Sequence, residues 1–383
     1  MSKLTRYLYE VDEANKSFVT CMINKINIKE CYFWIFELYY SKIDIFPIIW
    51  QLYLDYYATI NPKMENYIIK REKLSKNPDE NPVEHICYII KNLHILNSNN
   101  DVFMLRQLCN QEDLCLTKIN EIRGRSPKWT KLFKKKHIKL LISIKKRQYN
   151  NICYYLTELI KPNSSDNEDL YRDIILYYST ERGCDITDVE RNDELLKQIK
   201  NNWNLKVKNN CHHYLLAIIC QMNIEDHDLI EQKIYIAPNR DDIDEIKSRY
   251  ETYGISAHKI LKLNRCYNID KSIGMFSDLS RFNFNSHDEY TNEIRDHWEY
   301  YAHRTPYWRE IIDNYEGEIC EETRSIRFND DEKTEAFYNI YGYELDEQSL
   351  TVQNMSLSKL DIKSVVTGCS ILIEFPDNFK LFK

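Results

Sequence analysis

Seven glycines in 383 residues constrain this chain more than any motif it carries. Average usage is about 7%, so roughly three quarters of the expected glycine is missing. The seven are Gly124, Gly183, Gly254, Gly274, Gly317, Gly342 and Gly368, and they never cluster. Loops that wrap backbone N–H groups around phosphates need glycines close together, for positive φ and close backbone approach. A Walker loop, a dinucleotide fingerprint and a kinase-type loop are therefore excluded. Glycine-dependent hairpin turns are scarce for the same reason. The expectation is a mainly α fold.

Other composition agrees. Hydrophobic residues make up 43% and aromatics 13%, enough for a large core. Tyrosine is abundant, at 29 residues, as in coding from an A+T-rich genome. Twelve cysteines are spread singly. No CxxC occurs, and the closest pairs are Cys109/Cys115 and Cys211/Cys220. Met1-Ser2-Lys3 opens no cleavable signal, and no apolar run approaches the roughly 18 residues of a membrane span. These features point to a soluble protein of a reducing compartment whose thiols serve as small core residues.

Helix signals dominate the first 180 residues. Lys29–Tyr40 is almost wholly apolar and aromatic and suits a buried helix. Phe46–Tyr57 follows with Ile49, Leu52, Tyr53 and Tyr56 at helical spacing. Asn61-Pro62 and Ser126-Pro127 read as caps with proline at the first helical position. Pro82–Leu96 and Val102–Leu108 read as further helices, the second capped from the polar loop Asn97–Asp101. Residues 162–169, rich in Pro, Asn and Ser, form the expected linker. Beyond it, Asp193–Asn201 and Val207–Met222 read as two helices, Lys233–Ala237 as a short strand, and Asp241–Tyr253 as a helix closed by Gly254. Ser286 and Glu289 make a capping box. Thr305-Pro306 starts a helix ended by Gly317, Glu318–Phe328 reads as a small hairpin, and Asp330–Tyr341 as an acid-started helix. Val365–Phe375 is a candidate final strand. The expected architecture is a helical domain over 1–161, solenoid- or bundle-like, then a mostly helical α+β part over 170–383.

Two segments carry a resemblance. Tyr32–Lys70 and His297–Gln348, the latter reading His-Trp-Glu-Tyr-Tyr-Ala and later Thr-Pro-Tyr-Trp and Tyr-Gly-Tyr-Glu-Leu-Asp-Glu-Gln, resemble uncharacterised proteins of large nucleocytoplasmic DNA viruses. They cover about a quarter of the chain. The resemblance implies a setting, host cytoplasm or virion, and no mechanism.

Several groups invite a chemical reading. Cys211, His212, His213, Cys220 and His227 are ligand-type residues, but they lack the short paired spacings of a zinc site. Core and capping roles compete with metal binding there. His297 and His303, with Asp296 and Glu299 near them, fall on different faces of one helix. Asp226, Asp228, Glu231 and Lys233 could serve a metal-dependent phosphodiesterase or nuclease, with carboxylates on the ion and a lysine near the attacking water. No Ser, Cys and His arrangement marks a covalent nucleophile.

Charge gives the strongest handle. The net charge is −7, yet no acid lies between Glu121 and Glu158. That stretch holds eleven cations: Arg123, Arg125, Lys128, Lys131, Lys134, Lys135, Lys136, Lys139, Lys145, Lys146 and Arg147. The rest of the chain therefore carries −7 − 11 = −18. The two lysine-rich clusters, 134–136 and 145–147, are expected on neighbouring helix faces, with Trp129, Phe133 and Tyr149 around them. Three readings stand: a solvated face, a face docked on the chain's own acidic half or an acidic partner, and a surface for the backbone of a nucleic acid.

The expected function is a non-enzymatic interaction or scaffold protein of viral type with a protein partner, no cofactor and no membrane insertion. The alternatives are a nucleic-acid-binding accessory factor using residues 123–147 and the metal-dependent phosphodiesterase.

Overall fold

The computed structural model describes residues 3–6, 8–25, 27–109, 128–161, 164, 166–183, 185, 194–223, 236–251, 293 and 296–341. It is mainly helical, with one two-stranded antiparallel hairpin. The helices are α1 Val11–Ile23, α2 Ile28–Tyr40, α3 Phe46–Tyr56, α4 Met64–Ser75, α5 Pro82–Ile95, α6 Asp101–Cys109, α7 Ile138–Lys145, α8 Tyr149–Leu159, α9 Asp166–Arg182, α10 Glu194–Asn223, α11 Arg240–Glu251, α12 Trp298–Ala302, α13 Pro306–Asn314 and α14 Asp331–Tyr341. A 3-10 turn spans Lys128–Leu132, and the strands are β1 Gly317–Cys320 and β2 Ser325–Phe328. The chain folds into two compact units. One comprises the described residues of Met1–Ile49, Ser75–Ile95 and Ile236–Asp377; the other those of Trp50–Leu74 and Leu96–Tyr235.

In the first unit, α2 is buried from Cys31 to Leu38 because nearly every position is apolar or aromatic. Asn27 caps it, its side chain accepting from the Lys29 N–H at 3.0 Å. Ser41 closes it: its hydroxyl donates to the Glu37 carbonyl at 2.6 Å and accepts from the Arg6 N–H at 2.7 Å. α1 packs on α2, and α11 packs on both α2 and α5. Ile236 makes no strand. Its backbone N–H and carbonyl both pair with the Asn92 side chain, at 2.9 Å each.

The rest of this unit is a compact aromatic module. Leu4, Leu8, Trp298, Ala302, Trp308, Ile312, Ile326 and Phe337 form one buried cluster. Trp308 Nε1 donates to the Thr5 carbonyl at 2.9 Å, and the Thr305 hydroxyl donates to the Leu4 carbonyl. The expected Thr305-Pro306 helix start is there, with proline in the first turn. α13 does not end on Gly317, however. Glu316 takes the left-handed conformation, φ 57°, and Gly317 opens β1. A Cβ at Gly317 would lie 2.8 Å from Ile326 Cγ2 and 2.9 Å from Ile312 Cγ2, so glycine is needed there for close approach. The hairpin registers Gly317 with Phe328 and Ile319 with Ile326.

In the second unit, α6 packs against α8 and α10, and α8 against α7 and α9. Tyr56 stacks on Phe103, ring centroids 4.9 Å apart. Two expectations need correction here. Asn61-Pro62 does not begin a helix, since α4 starts at Met64; Asn61 instead turns its side-chain amide to the Asn97 carbonyl at 3.1 Å. The two expected helices after 193 are one, α10, because Asn201–Asn210 carries no proline or glycine to break it. Of the expected linker 162–169, residues 166–169 form the first turn of α9, where Asn167 bonds both the Lys161 N–H, at 3.2 Å, and the Lys161 carbonyl, at 2.7 Å.

The capping box Ser286/Glu289, the strand Val365–Phe375, Gly254 and residues 233–235 of the expected strand lie outside the described residues. No helix among the described residues is long and apolar enough to cross a membrane.

Candidate functional site

The basic stretch is not one helix. Residues 128–132 make the 3-10 turn and 134–137 a further turn, and α7 begins only at Ile138. Cluster 134–136 therefore sits on a turn, while 145–147 ends α7, which corrects the expectation of two helix faces. The apolar residues of the stretch divide as well. Phe133, Leu140, Leu141 and Ile144 are buried, but Leu132 is 61% exposed. Phe133 packs edge-on against Tyr177, centroids 6.4 Å apart, so its ring belongs to the core. Tyr149 is half-buried at the start of α8.

α9 supplies what the charge count left out. Asp166, Asp169 and Asp173 stand at helical spacing of three and four, with Glu181 two turns further on. Lys136 pairs with Asp166 at 2.8 Å, Lys134 pairs with Asp169, and Lys145 pairs with Glu181 at 2.8 Å. These hydrogen bonds from Lys136 and Lys134 hold the Asp166 and Asp169 carboxyls below the usual range. Beneath them, His137 is sealed in, 1% exposed, with Nδ1 2.6 Å from Asp173 Oδ2. The same oxygen accepts from the Lys134 N–H at 3.1 Å. A buried carboxylate with two donors fixes the turn 134–137 against α9.

Five cations remain outside this layer. Lys131, Lys135, Lys139, Lys146 and Arg147 are exposed and make no ion pair with any described residue. Lys139 and Lys146 stand seven residues apart, on one side of α7. Arg147 follows at φ 52°. Arg123 and Arg125 lie outside the described residues, and Lys128 is placed only as the first residue of the 3-10 turn. Of the nine lysines and arginines from Lys128 to Arg147, three pair with α9, five make no ion pair with any described residue, and Lys128 begins the 3-10 turn.

The other constellations do not assemble. Among the described residues no three His, Cys, Asp or Glu side chains group as a metal site. Cys220 is fully buried in α10, and His227 lies outside the described residues. His213 is buried, and neither ring nitrogen makes a hydrogen bond; Nε2 lies 3.6 Å from Asp55 Oδ1. Burial pushes its pKa down to about 2, so the ring is neutral. Asp55 is held instead by two bonds from Arg106, at 3.0 and 2.9 Å, while burial still raises its carboxyl. His297 and His303 stand at opposite ends of α12, bonded through Nδ1 to the carbonyls of Arg324, at 3.1 Å, and Tyr300. Asp226, Asp228, Glu231 and Lys233 lie outside the described residues.

Sequence reasoning missed His137 and the acidic face of α9. The signal was present in the spacing Asp166-x-x-Asp169-x-x-x-Asp173, which follows the basic block at the next helix start but one. Comparison of the chain with family models, curated proteins and solved structures finds no match.

Proposed function

We propose that this chain is a non-enzymatic interaction protein whose contact surface is the exposed basic ridge Lys131, Lys135, Lys139, Lys146 and Arg147, and that the ridge takes the phosphate backbone of a nucleic acid. One observation carries the reading. Lys134, Lys136 and Lys145 are neutralised within the fold by α9, whereas these five cations face solvent without an acid partner among the described residues. Uncompensated cations along a short stretch bind polyphosphate by displacing its condensed counterions. Phe133 is committed to the core, so the ridge offers charge rather than a stacking platform, and binding is sequence-tolerant. The resemblance of Tyr32–Lys70 and His297–Gln348 to proteins of large nucleocytoplasmic DNA viruses supplies the proposed setting, host cytoplasm or virion.

The test separates the two sets of lysines. Fluorescence anisotropy with single-stranded DNA and RNA should show affinity falling by about three and a half powers of ten over a tenfold rise in salt, for roughly five contacts at a slope near −0.7 each. Changing Lys131, Lys135, Lys139, Lys146 and Arg147 to Gln should abolish binding. Changing Lys134, Lys136 and Lys145 to Gln should leave most of it. Flat isotherms for both nucleic acids at low salt, or equal losses in the two variants, would overturn the reading.

A further inference from the structure

We propose that Cys109 and Cys153 form a reversible disulfide, Cys109 being the thiol that meets a hydroperoxide and Cys153 the thiol that resolves it. The inference is independent of the basic ridge. α6 and α8 pack side by side. Cys109 is the last residue of α6, and Cys153 lies in the second turn of α8. Cys153 Sγ stands 3.4 Å from the Leu105 carbonyl, one turn before Cys109. Cys109 Sγ stands 3.8 Å from the Cys153 carbonyl. Each sulfur therefore lies against the other's helix. The Thr157 hydroxyl ties the same place together, 2.9 Å from the Cys153 carbonyl and 3.5 Å from the Cys109 carbonyl.

The two thiols differ in access. Cys109 is half-buried, whereas Cys153 is completely buried. A peroxide-sensing pair needs that asymmetry: a reachable attacker and a resolving thiol that waits beside it. Charge state follows the same order. The neighbouring Cys153 thiol holds the Cys109 thiol below its usual range, with Thr157 and Arg106 adding to it, while the neighbouring Cys109 and burial push Cys153 well up. Cys21 and Cys31 are also neighbours across α1 and α2, but both are fully buried. That pair is closed to the oxidant.

The chemistry balances with one hydroperoxide. The Cys109 thiolate attacks a peroxide oxygen and the O–O bond breaks. The leaving oxygen takes a proton, giving water or an alcohol, and Cys109 becomes a sulfenic acid. Cys153 sulfur then attacks Cys109 sulfur, and the S–O bond breaks. The hydroxide released takes the Cys153 proton and leaves as water. Two thiols are oxidised by two electrons and one peroxide is reduced. A dithiol reductant reverses the link by exchange.

The test is to titrate the full chain with hydrogen peroxide, block the remaining thiols and map the cross-links by non-reducing peptide mass spectrometry. The first cross-link should join the Cys109 and Cys153 peptides with loss of two hydrogens, and dithiothreitol should remove it. In Cys153→Ala, dimedone should trap the Cys109 sulfenic acid several-fold above wild type. A first cross-link from Cys109 to another cysteine, Cys115 included, would overturn the proposal. So would oxidation of Cys109 to the sulfinic acid in wild type without a cross-link, or Cys109 staying reduced while other thiols react. The wild-type map distinguishes these outcomes even if the variant does not fold.

Discussion

The aromatic module around the hairpin and the charged layer between α7 and α9 are built from opposite materials. The module brings Leu4 and Leu8 against α12, α13, β2 and α14, and its rings interlock: Trp298 meets Trp308 edge-on at 5.3 Å and stacks on Phe337 at 6.5 Å. Thr305 and Trp308 tie it to backbone carbonyls of the N-terminal segment. The charged layer brings a turn against a helix through a buried histidine–aspartate pair roofed by lysine–carboxylate pairs. Shape sets the first; charge placement sets the second. Area-driven packing is insensitive to salt and tolerates little change of volume. Charge placement tolerates volume change but not the loss of one partner.

The largest expected effect is in the module. Trp308→Ala should destabilise by about 4 kcal/mol, as for other large aromatic truncations, with no dependence on salt. Urea unfolding followed by circular dichroism measures it, and a loss below about 1 kcal/mol would mean that the ring does not organise the cluster. In the charged layer, Asp173→Ala strips His137 and the Lys134 N–H of their common acceptor. A cost of about 3 kcal/mol is expected, nearly unchanged in 1 M salt because the pair is buried. If high salt erases the cost, the pair is solvated and the contrast fails. The smallest effect belongs to the roof. Lys134, Lys136 and Lys145 changed together to Gln should cost the least of the three, since exposed pairs contribute little, and salt should remove that cost. The sign with pH is fixed too. Asp166 and Asp169 have lowered carboxyl pKa values in the fold, so their contribution is present above the ordinary carboxylate pKa. It is lost as pH falls through the depressed values. The triple variant should flatten that part of the pH–stability curve.

Much of the module was legible. Thr305-Pro306 marks a helix start by chemistry that needs no partner, and the alternation around Glu321–Arg324 marks a hairpin because strand period is local. What could not be read was that Leu4 and Leu8 complete its core, since contacts across some 300 residues leave no trace in local periodicity. The opposite happened at Asn61-Pro62. The local signal was correct in kind, but Asn61 found a better use in binding the Asn97 carbonyl, and the helix began two residues later than the proline implied. In the basic block the charge asymmetry was plain, yet its division into paired and unpaired cations depends on where the turn 134–137 lies on α9. His137 looked incidental among lysines. It is the buried anchor of the layer because one ring nitrogen faces Asp173.

The left-handed backbone positions give the glycine deficit a second meaning. Leu8, Lys25, Lys42, Arg147, Glu316 and Arg324 all adopt φ between 52° and 63°, a region that costs a residue with a Cβ roughly 1 kcal/mol or more. Six turns among the described residues therefore run through side-chain-bearing residues where glycine would sit without strain, and the fold holds that conformational tension in its backbone. Leu8 is bound to its place because its side chain belongs to the core. At Lys25, Lys42, Glu316 and Arg324 glycine would release that tension and leave every core side chain as it is, whereas at Arg147 it would remove a cation of the proposed ridge.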